Sequence, residues 1–467
     1  MTGLGRALRV AVVGAGPAGL YAAGHLLEAL GGTYLDGRLQ RLVHHPVEVD
    51  VLDQLSTPWG LVRHGVAPDH PEKKLVQRVF EETASRNGFR FFGNITVGEH
   101  VQAPELSQRY DAVIYAIGAQ SDRPLGIPGE ELEGSVAAVD FVGWYNAHPH
   151  FAAMNPDVTQ DRAVVVGNGN VALDVARILV SDPGELAATD IADHALTALG
   201  ARGVREVVII GRRGPLQAPF TTLELRELGD LAAMADVDVI VDPADVDGIT
   251  DADLEAAGKT VRQNIKILRS YAERGALGRA RRIVFKFQTS PIEIKGTDRV
   301  ESIVLGHNDL IDDGGRIVAK DSGHREELPA QLVVRAVGYR GVPTAGLPFD
   351  ERAATIPHTE GRVEGSRNEY VVGWIKRGPS GVIGSNKKDS QDTVNTLIED
   401  ICGAELADFG PSHTEDLEAW FLSRQPALVT NDHWRLIDAH ERSAGEGQNR
   451  PRVKLTDVAH MLRVAHG

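Results

Sequence analysis

Two glycine-rich stretches of this chain have the residue types and spacing that bind a dinucleotide pyrophosphate. One is Val10-Ala11-Val12-Val13-Gly14-Ala15-Gly16-Pro17-Ala18-Gly19, and the other is Val164-Val165-Val166-Gly167-Asn168-Gly169-Asn170-Val171-Ala172. Glycines here permit a tight turn after a strand and let the backbone approach a phosphate. The helix that follows aims its N–H groups and partial positive charge at the anion. A single such pattern is weak evidence. Two in one chain, with different chemistry after each, point to an enzyme that passes electrons between two nucleotide cofactors.

The residues at the end of the next strand separate the two sites. After the first turn comes Val49-Asp50-Val51-Leu52-Asp53-Gln54. An acid there accepts hydrogen bonds from ribose hydroxyls. Alternation along the strand favours Asp53 over Asp50 as the strand-end residue. The interval from turn to acid exceeds the usual ~20 residues, and a polar loop over 31–46 accounts for the excess. After the second turn the strand at 207–210 ends in Gly211-Arg212-Arg213-Gly214, with no acid. A carboxylate would repel a 2′-phosphate, whereas arginines bind it through charge-assisted contacts. The second site is therefore expected to take NADP rather than NAD. Further along, Thr221 and Glu224 have the spacing of a capping box, which offers Glu224 a purely structural role. Glu227, one turn on, reads by itself as a surface residue. His70 follows an Ala-Pro-Asp turn and reads by itself as a surface histidine or turn cap.

Strand-like and helix-like segments alternate as in an α/β fold. Strands are expected over 47–52, 112–116, 164–166, 207–210 and 332–336, and helices over about 17–30 and 170–180. Two of the strands run into glycine, at Ile117-Gly118 and Val337-Gly338. They mark where the chain leaves one nucleotide domain and later returns. The expected architecture is two Rossmann-like three-layer domains. A first, discontinuous domain spans 1–119 and 339–467, and a second, inserted one spans 120–338.

The net charge of −16 and pI of about 5.5 argue against nucleic acid as a general partner. The single cysteine, Cys402, excludes an internal disulfide, a Cys-x-x-Cys redox pair and a four-cysteine iron–sulfur site. Its sequence context suits a small buried apolar residue better than a reactive thiol. Arg6 and Arg9 before an apolar run resemble a secretory signal, but Gly14, Gly16, Pro17 and Gly19 interrupt that run at phosphate-binding spacing. No apolar stretch of membrane-spanning length stands out. The expectation is a cytoplasmic protein with no membrane partner and no metal of its own.

The chain resembles the adrenodoxin reductase-like branch of ferredoxin–NADP reductases, in the wider glutathione reductase-like flavoprotein class, and looks most like its actinobacterial members. The resemblance covers nearly the whole chain. It is carried by Thr57-Pro58-Trp59-Gly60-Leu61-Val62-Arg63 with Gly65-Val66-Ala67-Pro68-Asp69-His70-Pro71, and by Gly167 to Arg177. Gly211 to Gln217 and Gly373-Trp374-Ile375-Lys376-Arg377-Gly378-Pro379-Ser380-Gly381-Val382-Ile383-Gly384 add to it. It implies that the first turn (Gly14, Gly16, Ala18, Gly19) holds FAD, with Asp53 on the adenosine ribose and Leu61 packing on the cofactor. Asp53 stands where the family more often has Glu. Trp374, Gly381, Val382 and Ile383 are expected to line the flavin, with Gly381 also meeting the nicotinamide nucleotide. Asn168, Gly169, Asn170 and Val171 would cradle the NADP pyrophosphate, and Arg212 and Arg213 would bind its 2′-phosphate. Glu224 would contact the nicotinamide end, while His70 and Glu227 fall near the flavin ring as candidate catalytic groups.

The implied reaction is hydride transfer from NADPH to bound FAD, followed by one-electron transfers to a ferredoxin-type iron–sulfur carrier. FAD bridges the mismatch between two-electron donor and one-electron acceptor. A basic stretch over 259–286 is the expected docking face for an acidic carrier. Arg262, Lys266 and Arg269 lie at helical spacing beside the apolar stripe Val261, Ile265 and Leu268. A solvated helix face is the plain alternative. Two other functions fit the same motifs: a flavin oxidase or monooxygenase, and a redox sensor that binds FAD and NADP without turnover.

Overall fold

A computed structural model describes residues 7–30, 46–201, 203–402 and 415–467. Most of the loop expected over 31–46, and the side chain of Cys402, lie outside the described residues. The chain forms two compact units. The first comprises Met1–Val66, His70–Ser121 and Tyr339–Gly467; the second comprises Ala67–Asp69 and Asp122–Gly338. The assignment of the short stretch Ala67–Asp69 to the second unit has no counterpart in the sequence pattern.

The first unit is built on an eight-stranded sheet. Its order is His358–Thr359, Arg362–Val363, Glu369–Val371, Ala112–Tyr115, Leu8–Val13, Val47–Leu52, Phe89–Gly93 and Val429–Thr430. The five strands from Glu369–Val371 to Phe89–Gly93 pair in parallel. A strand in such a sheet is buried on both faces and reads as a continuous apolar run. Leu8–Val13 does this: Val10 and Val12 pack on one side with Leu20, Ala22 and Leu26 of the helix Pro17–Leu30. Ala11 and Val13 pack on the other with Leu106, Leu417 and Phe421.

The second unit has a six-stranded, all-parallel sheet in the order Ser135–Ala137, Leu332–Arg335, Arg162–Val166, Glu206–Ile210, Arg281–Lys286 and Val237–Ile240. Val165, Val207, Ile209 and Val334 face a helical layer that includes Asn170–Val180, Thr222–Met234 and Lys259–Arg274. Val164, Val166, Val208 and Val333 face Ile294, Ile303, Leu305 and Leu328. Those residues belong to a three-stranded antiparallel sheet, Thr289–Lys295, Ser302–Asp313 and Arg316–Pro329. The third layer of this unit is therefore a β-sheet. The last two of its strands make a long hairpin whose outer half is exposed.

The two strands expected to end in glycine do equivalent jobs. Ala112–Tyr115 lies beside the strand that feeds the first glycine turn, and Leu332–Arg335 beside the strand that feeds the second.

Candidate cofactor sites

In the first unit, Gly14 sits at φ +110°, and a Cβ there would fall 2.4 Å from Ala116 O. Only glycine fits that conformation and that approach. A Cβ on Gly19 would meet Gly14 O at 2.0 Å, so the third glycine lets the helix Pro17–Leu30 settle onto its strand. The segment Thr57–Leu61 presses on the same turn. Trp59 N–H donates to Ala15 O at 2.9 Å. Trp59 and Gly60 both have positive φ, and a Cβ on Gly60 would lie 2.8 Å from Gly16 Cα. Leu61 then starts the short helix Leu61–His64.

Asp53 stands one residue beyond the strand Val47–Leu52. Its carboxylate accepts from Ala15 N–H and from Leu55 N–H, each at 2.8 Å, one bond per oxygen. Burial pushes its carboxyl up to about 6, against the pull of those two N–H groups. Asp50 is engaged elsewhere: it is buried, receives two hydrogen bonds from Arg90 at 2.6 and 2.7 Å, and a third from Tyr110 Oη at 2.6 Å. Asp53 is thus the acid at the glycine turn.

Trp374 opens the helical turn Trp374–Arg377 after Gly373, at φ +77°. A Cβ on Gly373 would lie 2.6 Å from Ala18 Cβ, which brings this turn to the start of the first helix. The Trp374 indole stacks obliquely on Tyr339, with centroids 5.3 Å apart. Its Nε1 is buried with no hydrogen-bond partner. Gly381 and Val382 are exposed just before Ile383, which begins the helix Ile383–Cys402. That helix runs along the first one: Ser390 Oγ donates to Ala18 O at 2.8 Å, and Asp389 receives Gly373 N–H at 2.6 Å. A glycine cradle, an acid at the strand end and an orphaned buried donor together fit an adenine dinucleotide that carries a second ring system. His70 belongs to this unit. It is buried, not a surface histidine, and makes no side-chain cap bond to the turn Pro71–Lys74; Lys73 Nζ lies 2.8 Å from its Nδ1.

The second unit repeats the first turn. Gly167 has φ +118°, and a Cβ there would lie 2.3 Å from Ala336 O, as Gly14 does against Ala116. Asn168 packs on Gly211, where a Cβ would fall 2.3 Å from its Nδ2. Gly169 caps the helix Asn170–Val180, and Asn170 Oδ1 accepts Thr221 N–H at 2.8 Å. Val171 is half-buried. Arg212 is exposed and Arg213 half-buried at the end of the strand Glu206–Ile210. Neither guanidinium is hydrogen-bonded or ion-paired to a described residue, so both remain available to an anion.

Thr221 does precede the helix Thr222–Met234, but its side chain makes no cap bond, so the capping box is not formed. Glu224 is buried, and Arg177 Nη1 lies 3.5 Å from it and 3.6 Å from Glu227, which is half-buried, not a plain surface residue. Arg177 also donates to Asp69 at 2.5 and 3.1 Å and to Asp174 at 2.7 Å. One buried arginine thus gathers four carboxylates. Its sequence signal was the i, i+3 pair with Asp174; nothing local foretold Asp69, Glu224 or Glu227.

The basic stretch over 259–286 is not one face. The helix Lys259–Arg274 makes up only its first part, and Arg281–Lys286 is a strand inside the parallel sheet. Arg282 pairs with Glu206, and Lys286 with Glu326 at 2.8 Å. On the helix, Ile265 and Leu268 are fully buried, while Arg262 and Lys266 are exposed and Arg269 is half-buried. Arg262 donates to Ala257 O at 2.9 Å and Arg269 to Ile249 O at 2.5 Å, so both satisfy carbonyls at helix ends.

The family described as pyridine nucleotide-disulphide oxidoreductase matches residues 8–264. The chain is 62% identical to the NADPH-ferredoxin reductase FprA of Mycobacterium tuberculosis (strain H37Rv), over 98% of this chain and 99% of that one. It belongs to the adrenodoxin reductase-like ferredoxin–NADP reductase family. It is also 40% identical to the mitochondrial NADPH:adrenodoxin oxidoreductase of Salvelinus fontinalis, over 98% of this chain and 91% of that one. The solved structure of M. tuberculosis FprA in complex with NADPH matches with a TM-score of 0.94 and 61% identity, over 99% of this chain and 100% of that chain. With Cys402 as its single cysteine, this member has no dithiol of its own to reduce. Among the described residues no helix is long and apolar enough to cross a membrane.

Proposed function

We propose that this chain is an NADPH-dependent flavoenzyme that takes a hydride from NADPH onto bound FAD and passes the electrons on singly to a ferredoxin-type iron–sulfur carrier. The observation that carries this reading is the pair Arg212 and Arg213, unpaired at the strand end where an NAD site would hold an acid. The family membership and the full-length likeness to NADPH-ferredoxin reductases support it.

FAD binds in the first unit and NADP in the second. FAD, when bound, supplies a centre that accepts two electrons together and releases them one at a time. The chain's own residues do the rest. Gly14, Gly16, Ala18 and Gly19 admit the FAD pyrophosphate to the start of the first helix. Asp53 accepts from the adenosine ribose. Trp374 Nε1, lacking a protein acceptor, is offered to the cofactor, and Leu61 and Gly381 to Ile383 pack around it. In the second unit Asn168 to Val171 receive the NADP pyrophosphate and Arg212 and Arg213 its 2′-phosphate. Arg177 holds Glu224 and Glu227 at the nicotinamide end. His70 and Glu227 are the candidate groups for holding or moving a proton.

We place docking of an acidic carrier on the helix Lys259–Arg274, around Arg262, Lys266 and Arg269. Their bonds to carbonyls leave further donors on each guanidinium, and exposed Lys266 supports the reading directly. The work is assigned to the cytoplasm, in keeping with a single cysteine. An absorbance spectrum of the purified protein, followed by anaerobic NADPH titration and then addition of a ferredoxin, tests the whole reading. A flavin spectrum, bleaching by NADPH and carrier reduction are expected. A preparation that stays colourless after reconstitution with FAD overturns it.

A further inference from the structure

The loop that carries Arg212 and Arg213 is held by three consecutive carbonyls. Gly211 O accepts from Thr289 N–H at 2.9 Å, and Arg213 O accepts from Gln288 N–H at 3.1 Å. Between them, Arg212 O accepts from the Asn308 side-chain amide at 3.0 Å. Asn308 is buried, 8% exposed, and its amide also lies 2.9 Å from Ser290 Oγ. Its backbone N–H donates to Gln288 O at 2.7 Å, closing the clamp on itself.

The clamp is built with visible strain. Gln288 has φ +51°, unusual for a residue with a side chain. The strand Ser302–Asp313 changes register between Gly306 and Asn308. Such a bulge re-aims the side chain beside it, and here that side chain is Asn308. Local strain of this kind concentrates at functional positions. None of these contacts adds to the apolar core; their common effect is to fix the backbone beneath two cations, Arg212 exposed and Arg213 half-buried. Gly211 in turn packs on Asn168 of the glycine turn, so the loop is referenced to the pyrophosphate site.

We propose that Asn308 and Gln288 are positioning residues that set the preference for NADPH over NADH. By pinning the carbonyls of residues 212 and 213, beside the Thr289 bond to Gly211 O, they present both guanidiniums together at one place, so that two charge-assisted contacts form on one 2′-phosphate without ordering the loop first. Preorganisation of this kind strengthens binding by lowering its entropic cost. The proposal rests on the reading of Arg212 and Arg213 as the 2′-phosphate site.

The test uses holoenzyme variants Asn308→Leu, which keeps the volume and loses the donor, and Asn308→Ser, whose hydroxyl is too short to reach Arg212 O. Either one that retains flavin and the parental melting temperature suffices. Ferricyanide reduction is followed with NADPH and with NADH, alongside an Arg212→Ala/Arg213→Ala double variant. Loss of one oriented hydrogen bond should raise KM for NADPH by about five- to tenfold, with kcat and KM for NADH unchanged. The affinity for 2′,5′-ADP, read by calorimetry, should fall in parallel while that for 5′-AMP holds. If the double variant loses the preference and the Asn308 variants keep it, the clamp is overturned and the phosphate assignment stands. If the double variant keeps the preference, the assignment itself falls, and the clamp with it.

Discussion

Removing the charge of Asp53 should make FAD binding insensitive to pH, because under the proposed function proton and cofactor compete for this carboxylate. Burial lifts its carboxyl from 3.8 to about 6, and the N–H groups of Ala15 and Leu55 only partly offset the shift. That gap corresponds to about 3 kcal/mol of preference for the neutral form. A folded pKa above the unfolded one sets the sign. The cost to stability is absent below about pH 4 and grows as pH rises, reaching its full value once the folded group ionises above about pH 6. On the proposed assignment, ribose hydroxyls of FAD donate to the ionised form and lower its pKa again. FAD affinity of apoprotein should therefore be flat above about pH 7 and fall about tenfold per pH unit below about pH 6. Asp53→Asn should abolish that slope. It can accept only one of the two N–H groups, so at pH 8 it should also bind FAD more weakly by about 1–2 kcal/mol. Quenching of FAD fluorescence on titration with apoprotein, from pH 5 to 8, reads both quantities. A flat profile for the parent protein, or an unchanged slope in Asp53→Asn, would refute the assignment of Asp53 to the ribose.

Gly14→Ala and Gly167→Ala should separate the two cofactors, since each new Cβ would collide with a backbone carbonyl, at 2.4 and 2.3 Å. The first should be isolated poor in flavin. The second should keep its flavin yet resist bleaching by NADPH, and the reverse pattern would exchange the two sites. Trp374→Phe keeps the ring against Tyr339 but removes an N–H that has no partner in the protein. FAD affinity should drop by about fivefold while the apoprotein melts no lower; an unchanged affinity would show that the indole donor faces no part of the cofactor. Lys266→Glu should slow ferredoxin reduction at low salt without changing the melting temperature. Arg269→Glu should also lower the melting temperature by several degrees, about 1–2 kcal/mol, because Ile249 O loses its donor. Equal carrier kinetics for Lys266→Glu and parent would move the docking site elsewhere.

The glycine turns, the helices Pro17–Leu30 and Asn170–Val180 and the strands beside them were legible in the sequence. Their signals are local: apolar runs buried on both faces, a glycine demanded by positive φ, and a proline at the first helical position. Asp53 was readable over Asp50 for the same reason, since alternation fixes which acid sits at the strand end. The place of Arg212 and Arg213 just past the end of the second unit's strand was readable because the repeat of the glycine turn fixes that position. What escaped depends on contacts distant in sequence. Lys286 and Arg282 read as members of a basic face, yet parallel pairing puts them in a central strand with acid partners. Arg262 and Arg269 read as free charges, although each satisfies carbonyls at a helix end. The hairpin over 302–329 carries little apolar alternation in its outer half, so no strand pattern announced it. Asn308 owes its direction to a bulge, and a bulge leaves no mark in composition.

That hairpin turns at Gly314 and Gly315, both at positive φ, with Asp312 accepting Gly315 N–H at 2.6 Å. Only its base, through Ile303, Leu305 and Leu328, belongs to the buried layer. Lengthening a surface turn costs little in chain entropy. A reporter peptide or a dye-bearing cysteine grafted at the tip would leave both nucleotide cradles untouched and let the second unit be watched on its own.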